Sequence, residues 1–231
     1  MPEKVIGILG GMGPEATIDL FYKIIKLTPA EKDQEHLRII IDNNPKIPDR
    51  TAAILGKGKD PLPALQETAK NLEKAGADFI IIPCNTAHYF LHSIQESVKI
   101  PISNMIEETA KETRERIFQI KKVGLFASKG TYKAKIYPKH FKKYNIEIIS
   151  PEEDDKEEVM KAIYAVKAGD LSDKVKKCIL DVAKKLIDKE AEAIIVGCTE
   201  IPLILKEEDI PVPIIDPTQV LAKVAVQKAR R

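Results

Sequence analysis

The chain has no tryptophan and only three cysteines among 231 residues: Cys84, Cys178 and Cys198. An odd thiol count without a C-x-x-C pair argues against a disulfide framework and a structural zinc site, so each cysteine takes its meaning from its position. No apolar run approaches the ~20 residues that a membrane span requires. The N-terminus, MPEKVIGILGG, has one lysine and a short apolar run into glycines. It lacks the longer apolar segment and small-residue cleavage site of a secretory signal, and the expected location is cytoplasmic. An excess of one charge is also missing: 37 basic and 35 acidic side chains leave a formal net charge of +2. No strong field favours nucleic acid or an anionic membrane, and neither is expected as a partner. The clusters EEDDKEE and KHFKK read as solvated surface. With 44% hydrophobic and 31% charged residues the composition is that of an ordinary globular protein. The length allows one large domain or two of roughly 100 residues each.

Apolar, β-rich runs recur at 5–9, 37–41, 79–82, 123–127, 146–149 and 193–196. Helical periodicity occupies 16–27, 61–75, 105–117, 133–144, 156–168 and 171–191. Strands alternating with helices predict an α/β fold with parallel sheets covered by helices, and continuously apolar strands fit burial on both faces. The order of features is written twice. VIGILGG corresponds to KVGLFASKG, LRIIIDNNP to IEIISPEED, GADFIIIPCNT to EAEAIIVGCTE, and KIPISNMIEETAK to PVPIIDPTQVLAK, at offsets of about 117, 108, 114 and 112 residues. The expectation is two similar α/β domains. Related by a pseudo-twofold axis, they would set Cys84 and Cys198 on opposite walls of one cleft.

Each of these two thiols follows a buried strand and precedes a predicted helix, the place where open α/β sheets bind ligands. Backbone N–H groups and the helix start there favour thiolate over thiol. An inert buried cysteine is the competing explanation for one such residue, and recurrence at equivalent sites weakens it. Two thiols facing one carbon suit racemisation or epimerisation, in which one group is thiolate and the other thiol, and turnover exchanges the two states.

The motifs GILGGMGPEAT, NNPKIPDRT, PCNTAH, GCTE and VKAG together resemble the cofactor-independent aspartate/glutamate racemase family over essentially the whole chain, and most closely its aspartate racemases. The resemblance implies two α/β domains with the active site between them, and an exchanged C-terminal segment. That places the first domain at residues 1–100 plus 212–231 and the second at 101–211. It further implies no pyridoxal phosphate or other cofactor, no metal, and commonly a homodimer. Cys84 and Cys198 take the roles of the two catalytic acid–bases. Asn85, Thr86 and Thr199 match positions holding the substrate α-amino and α-carboxylate groups, Met12 matches a pocket-lining position, and Arg50 and Lys167 match charged recognition positions.

Bottom-up readings stand beside these roles. Asn85 and Thr86 are also good N-caps. GGMGP serves equally as a tight strand-to-helix turn, with Pro14 in the first helical turn, and its glycine spacing fails the dinucleotide fingerprint. Arg50 and Lys167, viewed alone, read as surface cations, although together they suit two carboxylates. ASKGT resembles a family turn in which Ser128 replaces the usual threonine and keeps a hydroxyl for the substrate. Glu200 could orient or polarise the second thiol, or hold it protonated. His88 reads as a helix-surface residue, His36, His92 and His140 show no partnership, and Cys178 reads as core on an amphipathic helix. The expected activity is interconversion of L- and D-aspartate. A glutamate or broad-specificity racemase, a binding protein for acidic ligands and a Cys84–Cys198 redox pair are the alternatives.

Overall fold

The computed structural model describes residues 3–231. In chain order the elements are β1 (Ile6–Gly10), α1 (Pro14–Leu27), β2 (Ile39–Asn43), α2 (Arg50–Ile54), α3 (Leu62–Lys74), β3 (Phe79–Ile81), α4 (Leu91–Gln95), α5 (Met105–Arg116), β4 (Lys122–Ala127), α6 (Lys129–Ala134), α7 (Ile136–Phe141), β5 (Glu147–Ile149), α8 (Glu153–Lys167), α9 (Asp173–Asp188), β6 (Ile194–Gly197), β7 (Ile214–Ile215) and α10 (Pro217–Ala229). They form two compact units. One runs to Glu108 and takes in Thr218–Arg231, and the other is Thr109–Pro217. The breaks fall after residues 108 and 217, where the expectation placed them after 100 and 211.

Each unit holds a parallel sheet, with strand order β2-β1-β3 in the first and β5-β4-β6-β7 in the second. The repeat read in the sequence is present in the register. Gly7 pairs with Ile40 and Ile80, and an isolated parallel bridge joins Ile80 to Ile102. Gly124 pairs in the same way with Ile149 and Ile194, and Ile194 in turn with Ile214. Glycine is needed at both central positions. A Cβ on Gly7 would come within 2.9 Å of Ala77 Cβ, and one on Gly124 would overlap Ile194 Cδ1.

Both faces of the first sheet are covered, which is why its strands are continuously apolar. Ile6, Ile8, Phe79 and Ile81 pack with Leu20 and Ile24 of α1 and with Leu221 and Ala225 of α10. On the other face Leu9, Ile80 and Ile82 meet Leu65, Ala69 and Leu72 of α3. The C-terminal helix α10 therefore completes the core of the first unit. In the second unit Phe126, Ile194 and Val196 pack against Val159, Ile163 and Val166 of α8 and Ile179, Val182 and Leu186 of α9. Each fully buried Leu, Ile, Val or Phe contributes about 1.5–3 kcal/mol relative to exposure.

Local chemistry sets the element ends. Pro14 opens α1, where its missing N–H would have no helical partner. Glu153, Asp154 and Asp155 fill the first turn of α8, where the positive end of the helix dipole favours negative charge. This segment is only partly solvated, because Asp155 is buried and accepts a 2.6 Å bond from Lys185. The single helix expected over 133–144 is instead α6 and α7, divided at Lys135 in the left-handed conformation (φ 50°). Pro138 explains the restart, since it can donate no helical N–H and fits only within the first turn of a new helix. β7 and α10 were not among the expected elements. β7 has two residues, and α10 is rich in alanine and valine and lacks a contrasting polar face. Cys178 is half-buried and lies outside the core cluster, because α9 turns Val175, Ile179, Val182 and Leu186 inward.

Candidate active site

In the first unit, Met12, Cys84 and Asn85 lie on the loops after β1 and β3, Arg50 opens α2 and Thr86 opens a 3-10 turn, and all five are buried. The glycine loop is held by Thr17, whose hydroxyl accepts from Gly11 N at 2.9 Å and donates to the Gly13 carbonyl at 3.1 Å. Gly11 has φ +93°, and a Cβ there would overlap the Asn44 backbone, so the loop is a tight turn that only glycine permits. It ends by presenting the Met12 carbonyl to Arg50 Nη2 at 3.3 Å.

Arg50 is not the surface cation that its neighbourhood in the sequence suggests. Its side chain is 92% buried, at 8% exposure, and its other bonds run from Nη1 to the carbonyls of Ile47 (3.2 Å) and Pro48 (2.9 Å). No carboxylate pairs with it among the described residues, and Nε is buried without a hydrogen-bond partner. Three neutral carbonyls orient the guanidinium without neutralising it. A buried cation in this state retains the capacity to pair with an anion.

Cys84 stands three residues past the end of β3, with its N–H donating to the Ile82 carbonyl at 2.8 Å. The helix expected after it is a 3-10 turn, Thr86–Phe90, followed by the short α4. Asn85 is itself in right-handed helical conformation and its side chain makes no capping bond, so the N-cap reading of this residue is set aside.

His88 is the residue most misjudged from sequence, since it is buried rather than on a helix surface. Its Nδ1 lies 2.9 Å from the Cys84 carbonyl, and its Nε2 lies 3.1 Å from Met105 N, the first residue of α5. A backbone N–H can only donate, so Nε2 is the bare nitrogen and Nδ1 carries the hydrogen given to Cys84 O. One neutral imidazole thus ties the backbone of the thiol to the start of α5. The i+4 spacing from Cys84 was visible in the sequence, but the partner at Met105 was not.

In the second unit Ser128 and Cys198 follow strands whose last residues, Ala127 and Gly197, are paired in register. A Cβ on Gly197 would stand 2.7 Å from Leu125 Cδ1 and 2.9 Å from Phe126 O, so glycine is required immediately before the thiol. The end of β4 is fixed by Tyr132, whose hydroxyl donates to Leu125 O (2.7 Å) and accepts from Ala127 N (3.0 Å). Ser128 caps α6, accepting from Thr131 N at 3.3 Å.

Three of the expected site residues converge on Glu200, which is 5% exposed. The Cys198 thiol donates to Glu200 Oε2 at 2.9 Å, and the Thr199 hydroxyl donates to the same oxygen at 3.3 Å. Lys167 Nζ, at the end of α8, pairs with Oε1 at 3.3 Å. Lys167 is therefore an ion-pair partner rather than a lone surface cation. Burial pushes the Cys198 thiol well above its ordinary range, the Glu200 carboxylate raises it further, and the Lys167 ammonium opposes both. No helix follows this thiol either. The 3-10 turn Ile201–Leu203 takes its place, with Pro202 inside it.

Each of the two parallel α/β units carries a thiol just past the end of a strand, Cys84 after β3 and Cys198 after β6. The chain belongs to the Asp/Glu/Hydantoin racemase family, whose sequence profile matches residues 9–225. It is 32% identical over 228 residues, 96% of each chain, to the broad specificity amino-acid racemase RacX of Bacillus subtilis (strain 168). Its fold is similar to that of the Picrophilus torridus aspartate racemase, with a TM-score of 0.87 and 34% identity, covering 98% of this chain and 94% of that one. A glutamate racemase from Francisella tularensis shares the fold at a TM-score of 0.73 and 23% identity, covering 98% and 81%. No helix among the described residues is long and apolar enough to cross a membrane.

Proposed function

We propose that this racemase-family protein interconverts L- and D-aspartate, with Cys84 and Cys198 as the two acid–bases and no cofactor taking part. One thiolate removes the α-proton, and the other thiol delivers a proton to the opposite face of the carbon. The observation that carries the choice of an acidic substrate is Arg50, a buried guanidinium with a bare Nε and no carboxylate partner among the described residues. A substrate carboxylate supplies the missing anion. Lys167 offers a second cation for the other carboxylate, and Asn85, Thr86, Ser128 and Thr199 supply polar groups around it. Met12 gives the pocket an apolar wall.

The α-proton is a far weaker acid than a thiol, so a carbanion forms only where charge on the carboxylate is stabilised in a site closed to water. Arg50 and the backbone N–H groups around the thiols are the donors assigned to that role. The full proposal, a cytoplasmic homodimer in which both thiols act on one substrate, rests on the family likeness.

A second reading is favoured by the similarity to RacX: a broader amino-acid range, since one methylene in a pocket discriminates by only about 1–3 kcal/mol. The deciding experiment is incubation with L-aspartate in D₂O, following α-hydrogen loss and D-aspartate together. Exchange with inversion is expected. Faster exchange on glutamate or neutral amino acids moves the assignment to the broader enzyme. Neither exchange nor inversion on any amino acid from folded, reduced protein would overturn the racemase proposal.

A further inference from the structure

The two thiols occupy equivalent places in the repeat, but their surroundings differ in charge. Cys198 donates to a buried carboxylate at 2.9 Å. Among the described residues, the side chain bonded to Cys84 is that of His88, and the bond goes to the backbone carbonyl rather than to sulfur. A carboxylate can only accept, so the Cys198–Glu200 contact requires hydrogen on the sulfur. Were Cys198 to ionise, a thiolate and a carboxylate would face each other at hydrogen-bond distance in a part-buried site, which like charges disfavour. Lys167 Nζ stands 3.3 Å from the other oxygen of the same carboxylate.

We propose that Glu200 is a positioning residue that holds Cys198 as the resting thiol and proton donor, leaving Cys84 as the first base. This deepens the racemase assignment and rests on it for its consequence in turnover. In the first half-reaction the α C–H bond breaks towards Cys84. A new C–H bond then forms with the hydrogen of Cys198, whose S–H bond breaks. The products are Cys84 thiol, Cys198 thiolate and the inverted amino acid, so protons and charge balance. The thiolate now beside Glu200 is the less stable arrangement, and gain of a proton by Cys198 together with loss of one from Cys84 restores the resting form. Lys167 sets the size of the effect, because a second anion drawing it away strengthens the repulsion between Glu200 and a Cys198 thiolate.

The test needs no turnover. In the full chain carrying Cys84→Ser and Cys178→Ser, Cys198 is the sole thiol, and its alkylation by iodoacetamide is timed at one fixed pH. Glu200→Gln keeps size and an acceptor oxygen but removes the charge, and should raise the rate by about tenfold or more. Glu200→Asp, which draws the charge back by one methylene, should give a smaller rise in the same direction. It also provides the comparison if the glutamine variant fails to fold. Lys167→Met should slow alkylation. A merely structural Glu200 predicts no ordered series. Unchanged or slower alkylation in both Glu200 variants, with native circular dichroism, overturns the inference. If alkylation follows the series while wild-type protein exchanges no amino-acid α-hydrogen, Glu200 keeps its assignment and the racemase proposal falls. Exchange without the series has the opposite meaning.

Discussion

His88→Ala should destabilise the first unit and misplace Cys84 together. The imidazole donates to the Cys84 carbonyl at 2.9 Å and accepts from Met105 N at 3.1 Å, and it is buried. Alanine removes both bonds. Stripping a buried polar group of its partner costs about 1–3 kcal/mol, so the pair, with the lost ring packing, amounts to about 2–5 kcal/mol. A protein of this size loses about 2–4 °C of Tm per kcal/mol, which gives a fall on the order of 10 °C in a thermal melt.

Two less drastic variants apportion the loss. His88→Asn retains a donor near the Nδ1 position and should keep the Cys84 bond while losing the Met105 bond. His88→Gln retains an acceptor near Nε2 and should do the reverse. If the racemase proposal holds, the asparagine variant keeps more kcat than the glutamine variant at comparable Tm, because only the first preserves the anchor on the thiol's own backbone. Equal stability of His88→Ala and wild type by circular-dichroism melting would refute the reasoning. Loss of activity ranked only by Tm would refute its catalytic half.

Gly11→Ala and Gly76→Ala form a matched pair, since φ is +93° and +94° but only Gly11 faces an occupied space. Gly76→Ala should cost about 1–2 kcal/mol, the conformational term alone, whereas Gly11→Ala adds displacement of the Asn44 backbone. Urea melts giving equal losses would show the collision to be unimportant. Because folding raises Cys198, the native state holds a proton there that the unfolded chain releases above its ordinary pKa. The contribution is intact below about pH 8.5 and is lost as pH rises, with a slope of about 1.4 kcal/mol per pH unit above it. Cys198→Ser should therefore show a shallower alkaline loss of stability than wild type, and parallel curves would contradict this. Arg50→Lys keeps the charge but gives up the planar fork. On the aspartate proposal it should lower kcat/KM by about 10- to 100-fold, read as a loss of about 1.4–2.8 kcal/mol in transition-state binding. An unchanged value would remove Arg50 from the site.

Much of the fold was legible because its signals are local. Buried parallel strands are unbroken apolar runs, and the repeat at offsets near 114 residues survives as equivalent strand register about Gly7 and Gly124. The positions of Cys84 and Cys198 after strands were legible for the same reason. What the sequence hid were partnerships over distance. Met105 lies 17 residues from His88, and Lys167 reaches Glu200 from the end of α8. Arg50 misled because arginine within IPDRT looks solvent-bound, and nothing in that string shows that Ile47, Pro48 and Met12 will turn their carbonyls on it. The turns after the thiols misled differently. Short 3-10 segments have too few residues for a 3.6-residue period to separate them from helix starts.

The repeat copied backbone and not charge. The residue two after the first thiol is Thr86 and the residue two after the second is Glu200, while four after they are His88 and Pro202. One half has an imidazole acting on the cysteine backbone, and the other has a carboxylate acting on the cysteine sulfur. Enantiomers have equal free energy in water, so on the racemase proposal this asymmetry cannot favour either product at equilibrium. Equal kcat/KM in the two directions follows from that equality. The asymmetry must instead emerge as a proportionate difference in both kcat and KM between L- and D-substrate. Glu200→Gln, which evens the two environments, should bring the two pairs of constants closer together, in the same variant whose thiol reactivity changes.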